Sequence, residues 1–256
     1  MQEIENNSME AALDALGKII ARWTEKGEQH ITAVPGLSLF RRDEPTEPIS
    51  GMYEPSICLV AQGAKRVLLG DDTYVYDAHH YLITSVHLPT IVQIITASRE
   101  KPYLGLRLKL DQREISQLMV DSSLPPPRAQ QSSRGMATGE VTLPLLTAFQ
   151  RLIDLLAEEK DIPILAPIIQ REILYRLLVG DQGTRLRQIA SAGSQSHQIA
   201  RAVDWLKGNF TQPLRIDDLA AHVRMSSSTF HHHFRSMTAL SPLQFQKQLR
   251  LREARR

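Results

Sequence analysis

Nine histidines and one cysteine are where this chain of 256 residues could most readily do chemistry. His231, His232 and His233 are consecutive, which invites a metal reading. Successive residues of a helix point about 100° apart, however, so three neighbours cannot converge on one ion. His79, His80 and His87 fall in a β-rich stretch. In a strand the first two would point to opposite faces, and no HxH with a properly spaced Glu follows. Surface or core histidines are the preferred reading, with no metal and no cofactor expected. Ser-His-Asp catalysis has no G-x-S-x-G elbow to stand on, and Gly63 and Gly70 lack the GK[ST] partner of a phosphate loop. No catalytic residues are therefore expected, and the chain does not read as an enzyme. Cys58 lies in the apolar run Ser56–Gln62, where a free thiol is usually a small hydrophobe. The sharper reading makes it a sensor that reacts with an electrophile such as an aldehyde. That requires access and a lowered thiol pKa, which Lys65 and Arg66, across the Gln62-Gly63-Ala64 turn, would help to supply. The buried-hydrophobe reading is preferred.

The elements that must hold these residues come in two grammars. Met9, Ala12, Leu13, Leu16, Ile19, Ile20 and Trp23 have helical spacing, with Gly27 past the end. From Ile31 to Leu110, Pro, Gly and Asp-Asp breaks separate short β-rich runs at 37–41, 56–62, 65–69, 73–77, 81–85, 91–96 and 103–110. Gly70-Asp71-Asp72 reads as a hairpin turn. This spacing of strands predicts an antiparallel barrel or sandwich. Asp111 is placed to cap a helix over 111–120, and 124–139 reads as a mobile Pro- and Gly-containing loop. Helices with broad apolar stripes are expected over about 143–159 and 166–179, suited to packing on the barrel or on a second copy of the chain. Gly180-Asp181-Gln182-Gly183 ends the second, and Ser191–Ser196 (SAGSQS) reads as a flexible linker.

The net charge of +2 conceals an asymmetry: residues 1–183 carry −6 and residues 184–256 carry +8. In the basic part Arg outnumbers Lys ten to two, and arginine suits bidentate contacts to phosphate and guanine. The apolar periodicity there is helical. Ile216–Val223 forms a short helix, Arg224-Met225-Ser226 a tight turn, and Ser227–Ser236 a second helix capped by Ser226. Phe230, His233 or Phe234, and Met237 face inward, whereas Ser227, Ser228, His231, His232 and Arg235 face outward. Ser241-Pro242 starts a last helix carrying Gln246, Lys247, Arg250, Arg252, Arg255 and Arg256. Short helix, tight turn and polar-faced second helix are the geometry of a helix-turn-helix, whose second helix lies in the major groove.

The run from Leu214 to Arg255 resembles the first helix-turn-helix of the AraC/XylS family of transcription regulators. The resemblance rests on Leu219-Ala220, Met225-Ser226, Ser228, Phe230, Phe234, Ser241-Pro242, Phe245, Arg250-Leu251 and Ala254-Arg255. The region from Pro55 to Pro89 is similar to the N-terminal domain of the YqhC-like subgroup through Pro55, Gln62-Gly63, Lys65, Gly70, Tyr74-Val75-Tyr76, Tyr81-Leu82 and Leu88-Pro89, with Pro102-Tyr103 beyond it. The resemblance implies a cupin-like barrel that senses a small molecule or mediates dimer contacts. It places Ser228, His231 and His232 at base-reading positions, and Ser227, Arg235 and Arg250 on the DNA backbone. The family carries two helix-turn-helix units joined by a linker helix, and the sequence ends inside what should be that linker helix. Weak or largely non-specific DNA binding is therefore expected of the chain as given.

The expected fold is α+β: a sensor and dimerisation domain over 1–183, with a cupin-like antiparallel barrel at 31–110 and helices at 143–179, a linker at 184–196, and a truncated all-α helix-turn-helix domain at 197–256. The expected function is a ligand-responsive regulator. Its partners are double-stranded DNA, a small-molecule effector, a second copy of the chain and, for an activator, RNA polymerase. The lone cysteine suits a reducing compartment, the N-terminus lacks an apolar signal region, and no apolar run approaches bilayer length. A cytoplasmic protein without membrane contact is therefore expected. Two rivals remain: a cupin-type metalloenzyme with a helical dimerisation tail, and a truncated partner that dimerises with a full-length regulator and poisons its DNA binding.

Overall fold

The computed structural model of the chain describes residues 2–124 and 134–254. Helix α1 (Gln2–Trp23) precedes nine strands: β1 (Gln29–Ile31), β2 (Leu37–Arg42), β3 (Ile49–Tyr53), β4 (Ser56–Gln62), β5 (Ala64–Leu69), β6 (Asp72–Tyr76), β7 (His80–Thr84), β8 (Leu88–Thr96) and β9 (Tyr103–Lys109). After α2 (Gln112–Asp121) comes β10 (Met136–Glu140). The rest is helical: α3 (Leu143–Asp154), α4 (Ile162–Val179), α5 (Gly183–Ala190), α6 (Gln195–Asn209), α7 (Ile216–His222), α8 (Ser227–Thr238) and α9 (Pro242–Ala254).

The strands form two antiparallel sheets, ordered β1-β2-β9-β4-β7-β10 and β3-β8-β5-β6. The period-2 alternation of β4 explains how they stack. Ile57 and Leu59 face the helical layer of α1, α3 and α4, whereas Cys58 and Val60 join Val67, Tyr76 and Leu82 between the sheets. Both faces of β4 are covered, so it reads as an unbroken buried run rather than an alternating one. Gly63 turns the chain from one sheet to the other. Its φ of +87° suits glycine, and a Cβ there would lie 2.5 Å from the Thr96 carbonyl oxygen.

Several boundaries differ from the sequence reading. Strands β1 and β3 emerge where only breaks were legible, and β10 occupies the end of the expected loop, pairing with β7; residues 125–133 of that loop lie outside the described residues. Helix α4 starts four residues earlier than its apolar stripe suggested, because Pro163 sits in the first turn, where a missing N–H costs nothing. The linker reading of 184–196 is corrected most. Residues 183–190 form α5, which packs on α2 and α6. The serines of SAGSQS cap helices: Ser191 Oγ donates to the Arg187 carbonyl at 2.7 Å, and Ser194 Oγ accepts from the His197 amide at 3.0 Å. Serine-rich composition marks caps and flexible links alike, and here capping wins.

The C-terminal helices do not stand apart from the sheets. One apolar cluster runs from the space between the sheets (Val67, Leu82, Met136) into the helical module (Ile199, Phe230, Phe234).

Candidate nucleic-acid interface and effector pocket

Helix α7 ends at Val223, where the chain turns through Arg224 in the left-handed region, φ +61°. The Arg224 amide donates to the Ala221 carbonyl and the Met225 amide to that of Ala220, at 3.0 and 2.9 Å. These bonds define a Schellman stop that usually employs glycine. Ser226 then caps α8, its Oγ accepting from the Thr229 amide. Three rings hold α8 in place. Phe230 and Phe234 lie 5.4 Å apart, and Phe234 meets Phe245 of α9 edge to face at 5.6 Å. All three are fully buried. Helix α9 begins with a capping box, in which the Ser241 amide donates to Gln244 Oε1 and Ser241 Oγ accepts from the Gln244 amide.

With the phenylalanines inward, Ser228, His231, His232 and Arg235 are exposed. Their i, i+3, i+4, i+7 spacing puts them on one face. The structure therefore brings together four of the six residues expected at DNA. The other two have partners inside the domain. Ser227 Oγ donates to Asp217 Oδ1. Arg250 donates through Nε to the Phe210 carbonyl at 2.6 Å and through Nη2 to that of Gln212 at 2.9 Å. Gln246 bonds the same two carbonyls, so together they tie α9 to the end of α6. Arg255 and Arg256 lie outside the described residues.

A groove of about 630 Å³ beside this face is lined by His231, His232, Arg235 and, from the sheet domain, Arg134. Arg134 pairs with Asp72 at the start of β6 and donates to the carbonyls of Arg235 and Ser236, each at 2.8 Å. The Gly135 amide donates to the Met237 carbonyl at 2.8 Å. Gly70, in the β5–β6 turn, packs so close to Ala239 that a Cβ on it would lie 2.7 Å from the alanine methyl. The carboxyl end of α8 is thus gripped by the sheet domain. Sequence reasoning missed Arg134, which sits within the segment 124–139 that reads as loop.

A second cavity, of about 180 Å³, opens between the sheets. Cys58, Lys65, Arg107 and three tyrosines, Tyr53, Tyr76 and Tyr103, line it. Lys65 Nζ sits 5.5 Å from the Tyr53 ring centroid, and Arg107 Cζ 5.6 Å from that of Phe40. Burial, with the nearby Arg107 and Arg42 charges, pulls the Lys65 ammonium below the usual lysine value. Burial pushes the Cys58 thiol up, against the opposing pull of Lys65 and Arg107. The expected contribution of Arg66 is corrected: one residue along the strand from Lys65, it points to the other face and contacts Gln93 in solvent. Cys58 is thus a buried protonated thiol that walls a cavity.

The remaining histidines lie apart. His79 and His80 are exposed, His80 paired with Asp77 at 2.9 Å. His87 lies between Lys207, 2.5 Å from its Nε2, and Asp204 on α6. Among the described residues no cluster of His, Cys, Asp and Glu is placed to hold a metal, and no helix is long and apolar enough to cross a membrane.

Residues 33–185 match the family model described as the AraC-type transcriptional regulator N-terminus. No curated protein matches the chain by sequence. Among solved structures, the chain is similar to an apo point variant of ToxT from Vibrio cholerae, at 9% identity and a TM-score of 0.35, over 84% of this chain and 98% of that one. It is similar also to the AraC-like transcriptional activator CuxR, at 11% identity and a TM-score of 0.36, over 86% of this chain and 78% of that one.

Proposed function

Because the chain belongs to the AraC-type transcriptional regulators, we propose that it is a non-enzymatic DNA-binding regulator that reads duplex DNA with α8 and responds to a small molecule held between its sheets. The observation that carries the DNA reading is the face of Ser228, His231, His232 and Arg235, exposed on a helix whose opposite side is fixed by three phenylalanine rings. Ser228, His231 and His232 address base edges, and Arg235 addresses phosphate. Fluorescence anisotropy with labelled duplex DNA across a salt series tests this. The wild-type chain binds with an affinity that falls steeply with salt, and Arg235→Ala lowers the salt slope by about one. Salt-independent binding, or a slope unmoved by the substitution, contradicts the assignment. Placement in the YqhC-like subgroup rests on the sequence marks around Lys65, Tyr76 and Tyr103, the same residues that wall the cavity.

The β5–β6 hairpin offers a route from effector to DNA. Lys65 and Tyr76, near its open end, line the cavity, while Gly70 and Asp72, at its turn, contact Ala239 and Arg134 at the end of α8. A ligand that favours one setting of the hairpin would shift the population of α8 orientations.

Dimerisation is assigned to α4. Its inner side is core, yet Ile164, Ile168, Tyr175 and Val179 remain 69, 59, 45 and 51% exposed along its outer side. A helix that is apolar all round needs cover on both sides, and a second copy supplies it in a two-fold dimer suited to paired half-sites. Ile168→Glu is expected to give a folded monomer, its stability within about 0.5 kcal/mol of the parent because the site is exposed. Sedimentation velocity checks this, and an unchanged dimer contradicts it.

A further inference from the structure

We infer that the cavity between the sheets binds a small ligand through an anionic carboxylate head held jointly by Lys65 and Arg107. This rests on the reading of the chain as a ligand-responsive regulator and names the chemistry of its effector. Two cationic side chains reach into one cavity of about 180 Å³ whose lining contains no acidic residue. Neither forms an ion pair among the described residues, and Arg107 Nε is buried without a hydrogen-bond partner. The nearby acid Glu54, which feels the Arg107 charge, is paired with Lys109 at 2.6 Å. Charges drawn away from water are ordinarily paired, so two partly buried cations facing one cavity without an anion leave a place for a charge that arrives from outside.

The other walls narrow the class. The Tyr53 and Tyr76 hydroxyls are buried beside one another and make no hydrogen bond of good geometry. Each can donate one hydrogen bond to a ligand oxygen, beside the two cations that can only donate. A carboxylate can use four or more such donors and answers the two positive charges, which a neutral polyol does not, and a cationic ligand is repelled. The tyrosine rings with Met52 and Val92 offer an apolar seat for the remainder of the molecule. The volume corresponds to about six waters, which sets the ligand at the size of a short-chain or single-ring acid. The thiol of Cys58 touches this space as a neutral wall.

Differential scanning fluorimetry and calorimetric titration of the purified full chain test the inference, with hexanoate and benzoate as probes and hexanamide and benzyl alcohol as uncharged matches. At least one carboxylate is expected to raise the Tm by several degrees and its uncharged match to leave it unchanged. Lys65→Met and Arg107→Gln each abolish that response, and Arg66→Gln, on the solvent face of the same strand, retains it. Lys65→Met should also raise the Tm of the ligand-free chain, because it removes an unpaired, partly buried charge; a purely structural lysine would lower it instead. Equal shifts from acids and their uncharged matches, no shift from either acid, or a response that survives both cation substitutions overturns the inference. Anisotropy with duplex DNA on the same samples separates the two levels. A chain that binds DNA but ignores carboxylates refutes this inference alone, and a chain that does not bind DNA refutes the regulator reading beneath it.

Discussion

Phe234→Ala is expected to unfold the DNA-binding module. Phe234 is fully buried and stacks against both Phe230 and Phe245, so it joins α8 to α9. Truncating a buried phenylalanine typically costs about 3–5 kcal/mol, to which the loss of two aromatic pairs contributes. Small modules have little stability to lose. Far-UV circular dichroism during urea titration should show an early transition from loss of the C-terminal helices, and DNA binding should vanish with it. A single transition at the wild-type midpoint would mean that these rings do not hold α8.

The second large effect is on recognition rather than folding. His231 and His232 are both exposed, so the double variant His231→Ala/His232→Ala should unfold within about 0.5 kcal/mol of the parent. Its affinity for duplex DNA should nevertheless fall by about 1–3 kcal/mol, roughly fivefold to 150-fold, because base-edge contacts from the middle of α8 are lost. Competition anisotropy at fixed salt checks this. Equal affinities would move the interface away from α8.

These two predictions draw on residues that were legible before any fold was known. Phe230 separates from His231 and His232 by helical periodicity, which leaves His233 or Phe234 as the next inward residue, and the charge step after Gly183 marks the module that carries them; the structure buries Phe234. The strands from β4 to β9 were legible because Gly, Pro and Asp punctuate them. Other features were hidden for physical reasons. Arg224 adopts the left-handed turn that glycine would have announced. Arg250 looks like a phosphate contact by type, yet its guanidinium closes the end of α6, a partnership 40 residues away in sequence. Arg107 gave a usable signal that went unread. On β9 its neighbours Leu106 and Leu108 pack toward the helices, so alternation alone would have sent its charge between the sheets. Lys65 was noticed only as a neighbour of Cys58, and pairing it with Arg107 required knowing that β5 and β9 belong to facing sheets.

The coupling through Arg134 was equally beyond sequence reach, since it joins one end of β10 to the last turn of α8. It gives the molecule a physical link between the cavity that lies between the sheets and the exposed face of α8, by way of Asp72 and the β5–β6 hairpin. Cavity, hairpin and α8 thus form one contiguous path of named contacts.

On the proposed reading, the outward face of α8 is where this chain meets DNA. Mapping backbone amide and imidazole resonances of the isotope-labelled chain during titration with duplex DNA tests it most directly, even where binding is weak. Ser228, His231, His232 and Arg235 are expected to shift first and most. Shifts centred on α4 or on the sheets, with α8 unmoved at saturating DNA, would contradict it.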